Sequence, residues 1–432
     1  MYQSDEIPID RRPRLNMRML IIAVGMFLFV AINLINHLLR DDKRLIDKDQ
    51  NSVNPYLFRS ALNGAFKKSA TWPTVLELPG QTINLEYSLN EKLTGFVKKI
   101  IQAYRPEYTA VIVIDNNNGN IITALGYERS TNSFNNTLPF SSTHPTASIF
   151  KIVTAATLIS NNQVSNDTFF SYRGRGTTLY RYQLDDRNDR WSRLITFEHA
   201  FASSNNVVFA KASRVISDEA LYKMAYAFGF NQKPMEEIEV SRSIFPLPTD
   251  EYNMAESASG FNTTTTASPV HAAMLSSVIA NDGILFSPTI IKQALDIKSG
   301  EDVKLQVKDP VRVFDIRTAQ SLRQMMRETI MSGTAKGSFR HLRRNIKNHL
   351  SLGGKTGSIT GGTPHGKRDW FTGYAIPQNS RNRGISICVM NINVSKWYVR
   401  SAYLAQAIIE YYYKAINPDL IQNEKFAYEA TN

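Results

Sequence analysis

The sequence predicts an α+β domain carried behind a single transmembrane helix. Three observations predict it. A run near the N-terminus holds no charged residue and is long enough to cross a bilayer once. Strand-like apolar runs lie at both ends of the remaining chain, with helix-periodic stretches between them. Mean hydropathy is −0.27 over the 432 residues, which leaves room for very few further apolar spans.

Composition narrows the function classes. The 50 Lys+Arg against 38 Asp+Glu give +12 at pH 7, and 43% of residues are hydrophobic, so a disordered tail or a small disulfide scaffold is excluded. One cysteine forbids an intrachain disulfide and any site built on paired cysteines. It is Cys388, in the apolar run Ile385-Ser-Ile-Cys-Val-Met390, which reads as a buried strand where the thiol packs as a small hydrophobe. No His-Glu-x-x-His pattern supports a metal-dependent hydrolase.

Taken in order, residues 1–18 form a cytoplasmic tail and Met19 to Leu39 a transmembrane signal anchor. Arg11, Arg12, Arg14 and Arg18 precede the anchor, whereas Arg40-Asp-Asp-Lys-Arg44 after it mixes signs, so the N-terminus belongs inside the cytoplasmic membrane and the rest outside. The alternative is a cleaved signal peptide, but the run exceeds a usual h-region and no small-x-small site follows. Asn33, Asn36 and His37 fall in its outer half, where polar groups are tolerable. Residues 40–80, polar and punctuated by Pro55 and Pro73, read as a stalk with little structure of its own. The folded domain spans 81–416, and 417–432 is a polar C-terminal tail.

Within the domain, 89–104 has helical periodicity, and Thr109–Asp115 with Ile121–Leu125 reads as a hairpin around Asn-Asn-Asn-Gly-Asn. Ala147–Ile159 is apolar all round, as a buried helix should be. Helices are expected at 197–215, 219–228, 269–281 and 317–332, strands at Leu350–Ile359, Trp370–Ala375 and Gly384–Val394, and a last helix at Ala402–Ile416. Strands at both ends imply a sheet assembled from the two termini. The basic stretch Arg340-His-Leu-Arg-Arg-Asn-Ile-Lys347 reads as a solvated loop. It lacks interleaved aromatics, and an extracytoplasmic domain meets no nucleic acid, so the excess charge points to anionic envelope material.

Three patterns carry chemistry. Ser148-Ile-Phe-Lys151 opens the buried helix and puts a hydroxyl and an amine on one face. A buried lysine of depressed pKa can take the serine proton, and free amides at the helix start can hold an oxyanion. Ser204-Asn-Asn206, pinched between apolar runs, can relay a proton and hold a substrate amide, although such a stretch is equally an ordinary helix cap. Lys355-Thr-Gly-Ser358 lies on a cleft strand expected to be exposed, with Lys355 and Gly357 facing one way and Thr356 and Ser358 the other. Lysine and hydroxyls there suit a carboxylate, and Gly357 lets a substrate backbone lie close. Their order, with about 50 and about 150 residues between, makes the set specific for serine acyl-transferases that react with β-lactams.

On these motifs the chain resembles the penicillin-binding protein family, in its D,D-transpeptidase domain, over 81–416. The strand pair 111–125, Ile195-Thr-Phe-Glu-His-Ala-Phe201, Thr266-Ala-Ser-Pro-Val-His-Ala-Ala273, Ile279-Ala-Asn-Asp-Gly283, Gly333-Thr334 and Trp370-Phe-Thr-Gly-Tyr374 are similar to family stretches in the same order. The resemblance implies a serine β-lactamase-like fold, an antiparallel sheet with helices on both faces and an all-helical lobe. It implies a peptidoglycan transpeptidase in which Ser148 is the nucleophile, Lys151 its base, Ser204 a proton relay and Asn206 the holder of Lys151 and substrate. Lys355, Thr356, Gly357 and Ser358 would bind the terminal carboxylate and backbone, and the amides of Ser148 and Ser358 would form the oxyanion hole. No metal or organic cofactor is required by this chemistry. Expected partners are peptidoglycan stem peptides, β-lactams as covalent inhibitors, the membrane through one helix, and a separate glycosyltransferase with other cell-wall proteins.

The departures concern place and partner. Ser203-Ser-Asn205 offers a second alignment, set aside because Val207-Val-Phe209 then loses its register with the family. Ser358 stands where threonine is more frequent. About 40 residues between anchor and domain leave no room for a glycosyltransferase or a large pedestal. The competing functions are a D,D-carboxypeptidase or endopeptidase using water, and a class D-like β-lactamase or sensor. The latter carries Ser-x-Val where this chain has Ser-x-Asn. A non-catalytic scaffold is disfavoured because every catalytic residue type is present.

Overall fold

The computed structural model describes residues 53–68, 71–186 and 189–421. The expected tail 1–18, the anchor 19–39 and the first part of the stalk lie outside the described residues, as do 422–432. No helix among the described residues is long and apolar enough to cross a membrane.

A six-stranded antiparallel sheet organises the domain, in the order Leu350–Thr360, Lys367–Pro377, Ile385–Asn393, Tyr108–Asp115, Ile121–Glu128, Ser133–Asn135. The two termini meet at its centre, where Ile385 to Ile392 pair with Asp115 to Tyr108. This is the α+β sheet expected from strands at both chain ends. Side chains alternate between the two faces of the sheet and both faces are covered, so the central strands are buried on both sides and largely apolar. On one face Leu93, Val97 and Ile101 of the helix Glu91–Tyr104 and Leu404, Ala405 and Ile408 of Ser401–Tyr411 pack over Val111, Val113, Ile387 and Val389. On the other lies Pro269–Ala280, a helix buried along its whole length, which begins a lobe of helices that includes Lys151–Ser160, Asp218–Ala227 and Ile316–Met331. Cys388 is buried in its strand, and burial pushes its thiol pKa up, as packing requires.

Four expectations need correction. The stretch read as an unstructured stalk holds the helix Pro55–Lys68 and the strand Val75–Leu78. That strand joins Gln81–Tyr87 and Ile291–Asp296 in a three-stranded sheet, and Trp72 packs between Phe66 at 4.6 Å and Tyr87 at 5.4 Å with tilted rings. The helix expected over 197–215 is three pieces, Phe197–Ala202, Asn206–Ala212 and a short 3-10 turn Ser213–Val215. It breaks because Ser204 takes a left-handed φ of +58° and Asn205 caps the second piece. The basic stretch is not a loop: Arg344–Lys347 is a helical turn, with Leu342 and Ile346 in the core and the arginines outward. The strand carrying Lys355 exposes alternate residues only, and Lys355 itself is fully buried.

Candidate active site

The turn that carries Ser148 is set by a strained residue. Ala147 adopts φ +49°, a conformation unfavourable for a residue with a Cβ. Gly260 packs so closely there that an added Cβ would collide with the Ala147 carbonyl oxygen. Residues Ala147–Phe150 then form a 3-10 turn before the helix Lys151–Ser160 begins. In a 3-10 turn, residues three apart eclipse, so Ser148 and Lys151 come together more directly than on an α-helix. Ser148 Oγ lies 2.8 Å from Lys151 Nζ.

The break at Ser204 supplies the second wall. Asn206 donates from its backbone to the Gly176 carbonyl at 2.6 Å and from Nδ2 to the Thr177 carbonyl at 2.9 Å, which aims Oδ1 at Lys151. Lys151 Nζ donates to that Oδ1 at 2.7 Å and to the Ser259 carbonyl at 2.6 Å. Ser203, by contrast, turns its hydroxyl back onto the His199 carbonyl at 2.7 Å, and Asn205 accepts from Val208 N at 3.1 Å. Ser203 lines the same cavity, but the bonds to the two buried lysines are made by Ser204 and Asn206, whereas the Ser203 hydroxyl and the Asn205 side chain bond to helix-end backbone.

The strand Leu350–Thr360 closes the cleft. It pairs only with Lys367–Pro377 in its sheet, so its other edge faces the site. Lys355 Nζ donates to Ser204 Oγ at 3.0 Å and to the Thr356 carbonyl at 3.1 Å, 5.3 Å above the Phe201 ring. Thr356 Oγ1 is 2.6 Å from Thr334 Oγ1. An added Cβ on Gly357 would stand 3.2 Å from the Ser148 amide nitrogen and 3.1 Å from that of Ile149, so glycine is what lets the strand approach the Ser148 turn. Ser148, Ser204, Asn206, Thr356, Gly357 and Ser358 all line one cavity of about 1140 Å³. Lys151 and Lys355 lie behind them, fully buried.

Burial in apolar surroundings disfavours charge on both lysines. Lys151 is held well below the ordinary lysine range, first by burial and then by the nearby Lys355 ammonium. Burial lowers Lys355 to about 7. A neutral Lys151 has two N–H groups and one lone pair. The Asn206 and Ser259 oxygens accept the two N–H groups, which leaves the lone pair for the Ser148 hydroxyl proton. Such an arrangement can activate a hydroxyl without any carboxylate. Among the described residues no group of three or more His, Cys, Asp or Glu side chains could hold a metal ion.

Three participants escaped the sequence motifs: the Ser259 carbonyl, the Thr177 carbonyl and Thr334. The first two act through backbone, which carries no residue signature. Thr334 stood in the Gly333-Thr334 stretch, without a role.

Comparison with known proteins follows the same lines. The family model for the penicillin binding protein transpeptidase domain matches residues 109–397. Stage V sporulation protein D of Bacillus subtilis is 25% identical over 236 residues, 52% of this chain, and the match spans only 34% of that protein. The fold is similar to penicillin-binding protein 3 of Mycobacterium tuberculosis complexed with aztreonam, with a TM-score of 0.63 at 20% identity over 77% of this chain and 79% of that one. It is also similar to penicillin-binding protein A of M. tuberculosis, solved as an imipenem acyl-enzyme, with a TM-score of 0.58 at 19% identity over 76% of this chain and 79% of that one.

Proposed function

The chain belongs to the family of penicillin-binding protein transpeptidase domains, and from that premise we propose that it is a peptidoglycan D,D-transpeptidase working through an acyl-enzyme on Ser148. One observation carries the proposal. A serine hydroxyl lies 2.8 Å from a buried lysine whose two other hydrogen-bond partners are both acceptors.

In the proposed reaction Lys151 takes the Ser148 proton as Oγ attacks the penultimate D-alanine carbonyl. The amides of Ser148 and Ser358 hold the oxyanion. The carbon–nitrogen bond then breaks, and Ser204, hydrogen-bonded to Lys355, relays the proton held by Lys151 to the departing D-alanine amine, which returns Lys151 to its neutral form. Lys355, still protonated in part near neutral pH, with Thr356 and Ser358, binds the terminal carboxylate, while Gly357 leaves the strand edge open to the peptide backbone. An amine from a second stem peptide attacks the ester, Lys151 takes its proton and hands it to Ser148 Oγ as the ester carbon–oxygen bond breaks, and a new amide and free Ser148 result. β-Lactams mimic the first peptide and acylate Ser148 in the same way.

The proposal includes the setting. The apolar run 19–39 anchors the chain in the cytoplasmic membrane with its N-terminus inside, the folded catalytic domain after it stands outside, and a separate glycosyltransferase supplies the strands to be joined. The deciding experiment supplies a D-Ala-D-Ala stem peptide with and without an acceptor amine. The proposal expects the cross-linked product, with D-alanine release stimulated by the amine. Release by hydrolysis alone, unaffected by amine, would contradict it.

A further inference from the structure

The chain that follows Thr177, whose carbonyl holds the Asn206 side chain, carries an exposed aromatic surface that the chemistry at Ser148 does not use. Tyr180 and Tyr182, 55% and 54% exposed, stack at 5.8 Å with an interplanar angle of 11°. The Tyr182 hydroxyl lies beside Gly174, whose carbonyl accepts from Arg193. Arg193 in turn lies 4.7 Å over Tyr172, across the hairpin where Tyr172 and Arg193 pair. Trp191, 64% exposed and two residues before Arg193 in the chain, lies under the Arg190 guanidinium at 4.8 Å. Large exposed rings in one place mark a binding surface, because folding alone would bury them.

We infer that this surface is a saccharide platform, holding the carboxylate-bearing glycan strand from which a stem peptide reaches Ser148. The inference rests on the transpeptidase proposal for the identity of the polymer and deepens it. Three features favour a sugar polymer. A flat pair of parallel rings offers its negative π-faces to the weakly positive C–H face of a sugar ring. The described residues 172–186 and 189–195 hold five arginines against three aspartates, one of which pairs with Arg173, and this excess suits an anionic ligand. Guanidinium groups cover Tyr172 and Trp191, so charge is interleaved with the rings and with the exposed Phe169 and Leu194 of the same hairpin, unlike the charge-poor centre of a protein interface.

Reach supports the same occupant. The Thr177 carbonyl is bonded to the Asn206 side chain, and Tyr180 follows three residues later, at most about 11 Å of chain away. A stem peptide a few residues long, extended at about 3.3 Å per residue, covers a similar distance. With its D-Ala end at Ser148, the sugar it hangs from therefore falls over this surface.

The test titrates the full chain in detergent with peptide-free, uncross-linked wall glycan strands, and measures penicillin acylation of the same samples. The parent should bind the strands, Tyr180→Ala/Tyr182→Ala should bind about tenfold more weakly, and Tyr180→Phe/Tyr182→Phe should bind like the parent. Penicillin acylation should be equal in all three, which shows the fold and the Ser148 site intact. A parent that ignores peptide-free strands, or an alanine pair that binds as tightly, overturns the platform and assigns the rings to a protein surface. A chain that binds the strands through the tyrosines but is never acylated keeps the platform and sinks the transpeptidase proposal instead.

Discussion

Two buried lysines stand on either side of Ser204 and Asn206, and the charge of Lys355 lowers the proton affinity of Lys151. Lys355→Met removes that cation while keeping a similar volume. Lys151 should then hold its proton more tightly, and the rising limb of penicillin acylation against pH should move to higher pH. The falling limb, set by loss of the Lys355 proton near its value of about 7, should disappear. Acylation rates measured across the pH range check both, and an unmoved rising limb would refute the coupling. The neighbouring asparagines separate cleanly. Asn205→Ala should cost about 1 kcal/mol of stability by removing a helix cap, with acylation changed only a few-fold. Asn206→Ala should leave Lys151 without one of its acceptors and slow acylation by about a hundredfold or more. The reverse order, in thermal melts and acylation rates, would favour Ser203 and Asn205. Side chains at this scale were legible because their chemistry is specific to type. The burial of Lys355 was not, since a lysine on a strand near glycines reads as exposed.

Each element at the site owes its place to a local device. The strand Leu350–Thr360 reaches the Ser148 turn only because Gly357 has no side chain. Gly357→Ala should push the strand outward and lower acylation at least tenfold, with a stability loss of about 1–3 kcal/mol. Labelling at the parental rate would show that the approach has slack. The basic stretch after residue 339 offers a second check. Ile346→Ala should destabilise by about 2–4 kcal/mol, because Ile346 is in the core, whereas Arg344→Ala should stay within about 0.5 kcal/mol. Equal effects in denaturant titration would return the stretch to a solvated loop. Charge density hid this element: two apolar residues among so many cations give too weak a period to read. Long apolar elements, such as Pro269–Ala280 and the central strands, were legible almost to the residue. The single helix expected over 197–215 failed because an apolar run does not report a left-handed residue within it.

Across the whole molecule, three motifs far apart in sequence meet because the sheet closes the chain on itself, with Ile385–Asn393 beside Tyr108–Asp115 and the Lys355 strand two places further out. That closure was legible from apolar strands at both ends. The small sheet of Val75–Leu78, Gln81–Tyr87 and Ile291–Asp296 was not, since its strands are polar on one side and its closing pair is some 200 residues apart. All of this arrangement converges on one atom, Ser148 Oγ. The most direct test is intact-protein mass spectrometry of the parent and Ser148→Ala after exposure to penicillin. The parent should gain one penicilloyl adduct, mapped to Ser148 and persisting for many minutes, and the alanine variant none. An adduct retained on the variant, or one cleared by rapid turnover of penicillin in the parent, would contradict the account.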